Sequence, residues 1–302
     1  MNIVTVLRVT LFGKLSVQQN GRCLSGFDGR KVRDLFAFLL LRRDKPHPRE
    51  HLAALLWPDT DQSHAKNYLR KTLWQLQTAL EDVAPNLLAA DLDWIELRAN
   101  GRNLWLDVAQ LEDVLRRCRD IPGAQLNPAC IAQLEKARPL YTGPLLADCY
   151  EPWLLQERQR LEQTYLLLLD KLMEHAEASG NHEQGLALGL RALQLDPARE
   201  HTHCGLMRLY TSAGKRTEAL RQYQRCRSTL QAELGVKPSQ QTEQLYQQIC
   251  QDRLTPSRAA TAVPQPLPIS PDHTEQAATA ELLATMRSLQ SLLTQTQQQL
   301  QQ

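Results

Sequence analysis

The sequence predicts a mainly α-helical protein with a small β component, divided into a short mixed region and a longer all-helical region. Three observations favour this fold class. Apolar and polar residues alternate near the N-terminus, which is typical of strands. From residue 31 onward, apolar residues recur every three or four positions, which is typical of helices. Within the helical region, the stretch 178–193 is similar to 212–227, which indicates a repeat of 34 residues.

The first predicted element is a small antiparallel sheet. Leu7, Val9 and Leu11 alternate with polar residues, so they share one face of a strand. Asn20-Gly21 follows a second alternating stretch. This dipeptide is a strong signal for the turn of a β-hairpin.

Three helices are predicted after this sheet, over residues 31–43, 48–57 and 63–80. Asp61 or Ser63 can cap the N-terminus of the third helix. Short strands are then predicted over 86–90, 94–98 and 104–108. The order of a sheet, three helices and further strands is typical of a winged helix-turn-helix.

The third helix, over 63–80, has three cations and no acidic residue. The spacing of Leu69, Leu73, Leu76 and Leu80 predicts its buried stripe. Its outward face then carries amide, cationic and aromatic side chains. Amide side chains can pair with adenine, Arg can pair with guanine, and Lys suits a phosphate. Charge runs on helices more often simply face water. The position of this helix, third and before a β-hairpin, favours contact with nucleic acid.

The overall charge limits how an anionic partner could be bound. The chain of 302 residues has 35 Lys and Arg against 33 Asp and Glu, a formal net charge of +2. Residues 1–106 hold 15 Lys and Arg against 11 Asp and Glu. The protein is therefore not a bulk polycation, and an anion would have to meet a local basic patch.

The cysteines and the apolar runs predict a cytoplasmic protein without a membrane segment. The seven cysteines are scattered and form no C-x-x-C motif, which favours reduced thiols over a disulfide framework. The N-terminus does not resemble a signal peptide. The longest apolar run, 35–41, is too short to span a bilayer.

The helical region contains a repeat with a defined period. Gly180 aligns with Gly214, and Leu186 aligns with Leu220, at an offset of 34 residues. A 34-residue period with a glycine between two helices is the tetratricopeptide signature. Each helix pair of such a repeat leaves an apolar face that a neighbouring pair covers.

The sequence divides into four predicted segments. They are a winged helix-turn-helix over 1–108, an all-α tetratricopeptide-like domain over 109–252, a Pro-rich linker over 253–273 and a Gln-rich amphipathic helical tail over 274–302. The heptad spacing of the tail leaves three possibilities open. It could pair two chains, dock on the repeat domain or stay unfolded.

The sequence predicts no metal, no cofactor and no enzyme. His201 and His203 are two residues apart on a predicted helix, so they point in different directions and do not share an ion easily. The stretch TSAGKRT at 211–217 lacks the first glycine of a phosphate-binding loop and has no Ser or Thr directly after its lysine. Motifs for a nucleophile and base, or for a catalytic zinc, do not occur.

Several ordered motifs resemble a known family. LRVTLFGKLSV, GRKVRDLFAFLLL, REHLAALLWPD and AKNYLRKTLWQLQTAL resemble the OmpR/PhoB-type winged helix, in the version of the SARP-like antibiotic regulators. The stretches YTGPLLADCYEPWLLQERQRLEQTYLLLLDKL, LDPAREHTHCGLMRLYTSAGKRTEALRQYQ and LGVKPSQQTEQLYQQI resemble the bacterial transcriptional activator domain. The resemblance covers residues 7–251.

The resemblance implies a cytoplasmic transcription activator that binds double-stranded promoter DNA. It also implies contact with RNA polymerase or its sigma factor, and self-association as a homodimer. Carried over by position, the residues expected at the DNA are Asn67, Tyr68, Arg70, Lys71, Trp74, Gln75 and Gln77. Arg98 and Arg102 are expected to assist them from beside the wing.

Two departures from the family pattern leave an alternative function open. Gln75 and Gln77 stand where the family often has Arg, and Gln does not neutralise a phosphate. The predicted tip of the wing carries Asp91 and Asp93, which repel phosphates. The alternative is a tetratricopeptide-type adaptor that binds proteins and whose winged helix no longer reads DNA.

Overall fold

The computed structural model describes residues 6–98 and 103–251, which form one compact unit. The predicted linker and tail, over 253–273 and 274–302, lie outside the described residues. The fold is mainly helical with small sheets near the N-terminus, so the predicted fold class is confirmed.

Among the described residues, seven short strands form two sheets. The strands are Leu7–Thr10 (β1), Ser16–Gln19 (β2), Arg22–Cys23 (β3), His47–Pro48 (β4), Leu88–Ala90 (β5), Trp94–Leu97 (β6) and Leu104–Leu106 (β7). One sheet has the order β3-β2-β1-β7, and the other has the order β4-β6-β5. The Asn20-Gly21 turn joins β2 to β3, with φ of 51° and 77°. The predicted hairpin is therefore confirmed.

The structure differs from the sequence prediction at the last strand. A strand over 104–108 is predicted, whereas β7 ends at Leu106 and pairs in parallel with β1. The next residue, Asp107, begins a helix, and its carboxylate accepts hydrogen bonds from the backbone N–H groups of Leu11 and Phe12. A side chain that binds the end of β1 in this way ends the strand pairing of β7.

A second difference lies between the first two helices. The sequence predicts only a break there, whereas His47–Pro48 forms β4 and pairs with Trp94 and Ile95 of β6. Pro48 also precedes the second helix as its N-cap residue. The wing is thereby joined directly to the helix-turn-helix.

Ten α-helices account for most of the described residues. They are Arg30–Leu41 (α1), Arg49–Leu56 (α2), Gln62–Glu81 (α3), Asp107–Arg117 (α4), Pro128–Ala137 (α5), Trp153–Ala178 (α6), His182–Leu195 (α7), Glu200–Ser212 (α8), Arg216–Leu234 (α9) and Gln240–Cys250 (α10). Gly180 and Gly214 separate α6 from α7 and α8 from α9, both with a φ near +74°. The predicted repeat of helix pairs is confirmed.

One hydrophobic core runs from the sheets into the helical region. Leu35 and Leu39 of α1 are fully buried in it, and so are Leu161 and Leu168 of α6. Aromatic contacts join the two regions directly. Phe38 of α1 packs edge-to-face on Trp153 at 5.2 Å between ring centroids. Because α1 also packs on α3, this core fixes α3 relative to the helical region.

Candidate DNA-binding surface

The helix α3 begins at a side-chain cap. The Asp61 carboxylate accepts hydrogen bonds from the backbone N–H of Ser63 at 3.0 Å and from its hydroxyl at 2.6 Å. These bonds lower the pKa of the Asp61 carboxyl. Of the two capping residues predicted, Asp61 is therefore the cap.

The inner face of α3 is apolar, as predicted. Leu69, Leu73, Leu76 and Leu80 are all at most 3% exposed. They pack against the rest of the helix-turn-helix, and α3 contacts both α1 and α2. Packing of this stripe sets which side chains of α3 face outward.

The outer face of α3 carries every candidate that the sequence places on this helix. The side chains of Asn67, Tyr68, Arg70, Lys71, Trp74, Gln75 and Gln77 are all exposed. Trp74 is 64% exposed, although it is a large apolar ring. The Tyr68 ring rests 6.0 Å from the ring of Trp57, which follows α2. The predicted orientation of α3 is confirmed, whereas the contact of these residues with DNA stays a prediction.

The cations of α3 differ in whether they are paired. Lys66 donates to the Glu50 carboxylate of α2 at 2.6 Å, and this contact lowers the pKa of Glu50. Arg70 and Lys71 form no ion pair with any other described residue. The positive charge open to an anion on α3 is therefore that of Arg70 and Lys71.

A groove separates α3 from the wing, the hairpin formed by β5 and β6. It has a volume of about 490 Å³ and is lined by Arg49, Lys66 and Arg70 on one side and by Leu92 and Trp94 on the other. Arg49 was not predicted as a site residue. No sequence signal distinguishes it, because only the packing of α2 against the wing brings it to the groove.

The acidic tip of the wing has a structural function. The Asp91 carboxylate accepts hydrogen bonds from the backbone N–H groups of Asp93 at 3.0 Å and of Trp94 at 2.7 Å. These bonds lower the pKa of Asp91. Leu92, at the tip, is 91% exposed. Asp91 therefore shapes the turn that presents Leu92.

The two arginines expected beside the wing have different positions. Arg98 contacts the Glu96 carboxylate at 3.5 Å and lines a different groove, with Pro46 and Ala90. The structure does not bring it to the groove of α3. Arg102 lies outside the described residues.

Many cations of the N-terminal region face the helical region. Lys31 and Arg30 of α1 contact the Glu151 carboxylate at 2.8 and 3.2 Å. Three further pairs join the same two regions: Arg33 with Asp148, Arg42 with Glu157 and Arg43 with Glu112. The excess of Lys and Arg over residues 1–106 is therefore not a measure of the charge available to DNA.

In the part of the chain that the structure describes, no helix is long and apolar enough to cross a membrane. Within residues 6–98 and 103–251, no group of three His, Cys, Asp or Glu side chains could hold a metal ion. His203 instead contacts the Pro197 carbonyl at 2.9 Å and the Gln222 amide at 2.7 Å.

The chain is similar to several bacterial regulators. It is 27% identical over 260 residues to the regulatory protein AfsR of Streptomyces coelicolor. This match covers 85% of this chain but only 26% of AfsR. It is 27% identical to the transcriptional regulatory protein MoaR1 of Mycobacterium tuberculosis, over 72% of this chain and 71% of MoaR1. It is 25% identical to the regulatory protein DnrI of Streptomyces peucetius, over 80% of this chain and 92% of DnrI.

A solved structure and a family model agree with these similarities. Mycobacterium tuberculosis EmbR, solved in complex with a low affinity phosphopeptide, has the same fold, with a TM-score of 0.66 and 21% identity. The match covers 95% of this chain and 71% of EmbR. Residues 106–250 match the bacterial transcriptional activator domain. The chain therefore carries a bacterial transcriptional activator domain, and over most of its length it is similar to transcriptional regulators of the SARP-like type.

Proposed function

We propose that this regulator binds double-stranded promoter DNA in a sequence-specific manner and activates transcription from it. The observation that supports the proposal is the outward face of α3, where Arg70 and Lys71 are exposed and unpaired among the described residues. A helix in this position of a winged helix-turn-helix fits the major groove of DNA.

The residue types on α3 suit both parts of such a contact. Asn67 and Arg70 are three residues apart, so they lie side by side on the helix surface and could reach neighbouring bases. Lys71 suits a phosphate, which fixes the position of the helix without reading sequence. The groove beside α3 leaves room for the DNA backbone between α3 and the wing.

The helical region supplies the second half of the proposed function. We propose that it contacts RNA polymerase or its sigma factor, or joins two chains into a homodimer on DNA. Its helix pairs resemble tetratricopeptide repeats, which present extended concave surfaces to protein partners. The proposed activity takes place in the cytoplasm, where promoter DNA lies, and it requires no cofactor and no catalytic step.

A selection of bound duplexes from a random pool tests DNA reading by α3. The full chain is compared with the double variant Arg70→Ala, Lys71→Ala at low salt. We expect a recovered sequence motif with the unchanged chain and its loss with the variant. The control is Arg221→Ala, Arg227→Ala, which removes two exposed cations from α9. Weak and equal binding by all three proteins, without a motif, would contradict the proposal.

Two observations favour the alternative of an adaptor that no longer reads DNA. The Glu50 carboxylate is already paired with Lys66, and Asp93 lines the groove that DNA would enter. Under this alternative, the variant Arg70→Ala, Lys71→Ala would keep full function in cells. A reporter fused to a target promoter, measured with this variant, separates the two functions.

A further inference from the structure

A second cleft lies between α4 and α5, and no residue of α3 lines it. Its volume is about 430 Å³, within the usual range of small-molecule sites. One wall is the face of α4 that carries Gln110, Asp113 and Arg117. The other wall is the face of α5 that carries Gln133 and Lys136. The named residues are three and four positions apart on α4 and three positions apart on α5, so those of each wall lie on one helix face.

The charge of the cleft favours an anion. Arg117 and Lys136 project from opposite walls, are exposed and form no ion pair with any other described residue. The one carboxylate of the lining, Asp113, is paired with Arg116 at 2.8 Å. Two cations on facing walls can hold a single phosphate or carboxylate between them.

The floor of the cleft includes an aromatic ring with a fixed orientation. Trp105 of β7 is half-buried, and the guanidinium of Arg8 lies 3.7 Å from the centroid of its ring. Trp105 lines the cleft and Arg8 does not, so the part of the ring that faces the cleft remains available for stacking with a planar ligand.

Two amide side chains also line the cleft. Gln110 and Gln133 are half-buried, and neither side chain forms a hydrogen bond with another described residue. A carboxamide offers two donor hydrogens and one acceptor oxygen, which complement the edge of a nucleobase. Half-buried amides without partners gain from a ligand that supplies both a donor and an acceptor.

We propose that the cleft between α4 and α5 binds a mononucleotide. The phosphate lies between Arg117 and Lys136, and the base stacks on Trp105 with its edge towards Gln110 and Gln133. This site goes beyond the proposed reading of DNA by α3, because it shares no residue with that surface. It takes a single nucleotide as a ligand and does not depend on a duplex.

Titration of the full chain with adenosine 5′-monophosphate tests the site. Binding is followed by calorimetry and by quenching of tryptophan fluorescence. We expect saturable binding of one nucleotide per chain. The variant Arg117→Gln, Lys136→Gln should weaken binding at least tenfold. The matched control is Arg221→Gln, Arg227→Gln, which removes two exposed cations of α9 that do not line the cleft, and it should bind as the unchanged chain does.

Two partial probes test the base and the phosphate separately. Adenosine and inorganic phosphate should each bind at least tenfold more weakly than the nucleotide, because each lacks half of the contacts. A Trp105→Phe variant keeps an aromatic surface and should lose less than tenfold. Absence of saturable nucleotide binding would overturn the proposal. Equal binding by the Arg117→Gln, Lys136→Gln variant, or binding of phosphate as tight as that of the nucleotide, would overturn it as well.

Discussion

Asp107 lies where the N-terminal sheet meets the helical region, and its carboxylate accepts four hydrogen bonds from three backbone N–H groups. Leu11 donates to both oxygens, at 3.0 and 2.8 Å, Phe12 donates at 2.9 Å and Val108 donates at 2.8 Å. The residue is 1% exposed. Burial raises the pKa of this carboxyl, and the N–H donors act in the opposite direction. One short acidic side chain therefore joins β1 to the start of α4.

Replacement of this carboxylate tests that role. In Asp107→Asn, an NH₂ group takes the place of one acceptor oxygen and faces backbone donors. We expect a loss of about 1–3 kcal/mol in the free energy of unfolding, because a buried N–H loses its acceptor. Urea denaturation measures the loss. The control Asp120→Asn, at an exposed position, should change stability by less than about 0.5 kcal/mol.

Burial changes the pKa of His203. It is 3% exposed, and this burial lowers the pKa of its imidazole below the ordinary value of 6.5. The unfolded chain therefore takes up a proton at a higher pH than the folded chain does. Stability from neutral His203 is fully present above about pH 6.5 and is lost as the pH falls from there towards the folded pKa.

A variant of His203 and a control variant separate this effect from a general effect of acid. We expect the free energy of unfolding to fall between pH 7 and pH 5 in the unchanged chain. His203→Gln should reduce the slope of that fall, since its side chain does not titrate. Gln224→Ala, at an exposed position on α9, removes no titrating side chain and should keep the slope. Equal slopes for all three proteins would contradict the assignment.

At the scale of one element, the buried face of α3 contributes to stability, and its exposed face carries the residues of the proposed DNA contact. The inner face packs Leu76 at 0% exposure, and the adjacent residue, Gln75, is exposed. Truncation of a buried Leu removes contacts and leaves a cavity. Truncation of an exposed Gln removes only a polar group that the proposed function places at the DNA.

The pair of variants on these two faces gives opposite expectations. Leu76→Ala should lower the free energy of unfolding by about 2–5 kcal/mol. Gln75→Ala should change it by less than about 0.5 kcal/mol and weaken binding of the selected DNA sequence. Denaturation and a gel-shift titration, run on both proteins, check the two results. An unstable Gln75→Ala protein would contradict the orientation of α3.

The Glu50–Lys66 contact pairs one of the cations of the same helix, α3, with a carboxylate. In Glu50→Gln, Lys66 keeps its charge and loses its carboxylate partner, so we expect tighter DNA binding. If Lys66 then neutralises one phosphate, the slope of log K against log salt steepens by about 0.9. Titrations at four salt concentrations measure the slope. Glu233→Gln, which alters an exposed carboxylate on α9, serves as the control, and a slope change as large in that variant would argue against a local effect.

At the scale of the described molecule, ion pairs and a shared core join the winged helix to the helical region. Glu151 is 7% exposed and accepts from Lys31 at 2.8 Å and from Arg30 at 3.2 Å. Because α1 carries these cations and packs on α3, the helical region holds α3, the helix proposed to read DNA, through α1. The orientation of α3 thus depends on contacts outside the winged helix.

Neutralisation of Glu151 measures the strength of this connection. Glu151→Gln leaves Lys31 without its charged acceptor, and we expect a loss of about 1–3 kcal/mol in the free energy of unfolding. Asp148→Asn breaks the more exposed pair with Arg33 and should cost less than about 1 kcal/mol. Urea denaturation of both variants checks the order. The opposite order would show that Glu151 contributes little to the connection.

Local patterns alone predicted much of the fold. The apolar spacing of α3, the Asn20-Gly21 hairpin and the two glycines at the ends of α6 and α8 follow from neighbouring residues in the chain. The amphipathic period also predicted which side chains of α3 face outward, because the side chains that bury are those that recur every three or four positions.

Only the tertiary structure decided which charges are available and which strands pair. Lys66 meets Glu50 from 16 residues away, and Lys31 meets Glu151 from 120 residues away. In the same way, β7 pairs with β1 across most of the winged helix, and Arg98 turns to Glu96 and away from the groove. The sequence by itself determined the elements and their buried faces, since periodicity is a local property. The choice of partners depends on distances in space, which only the packed molecule sets.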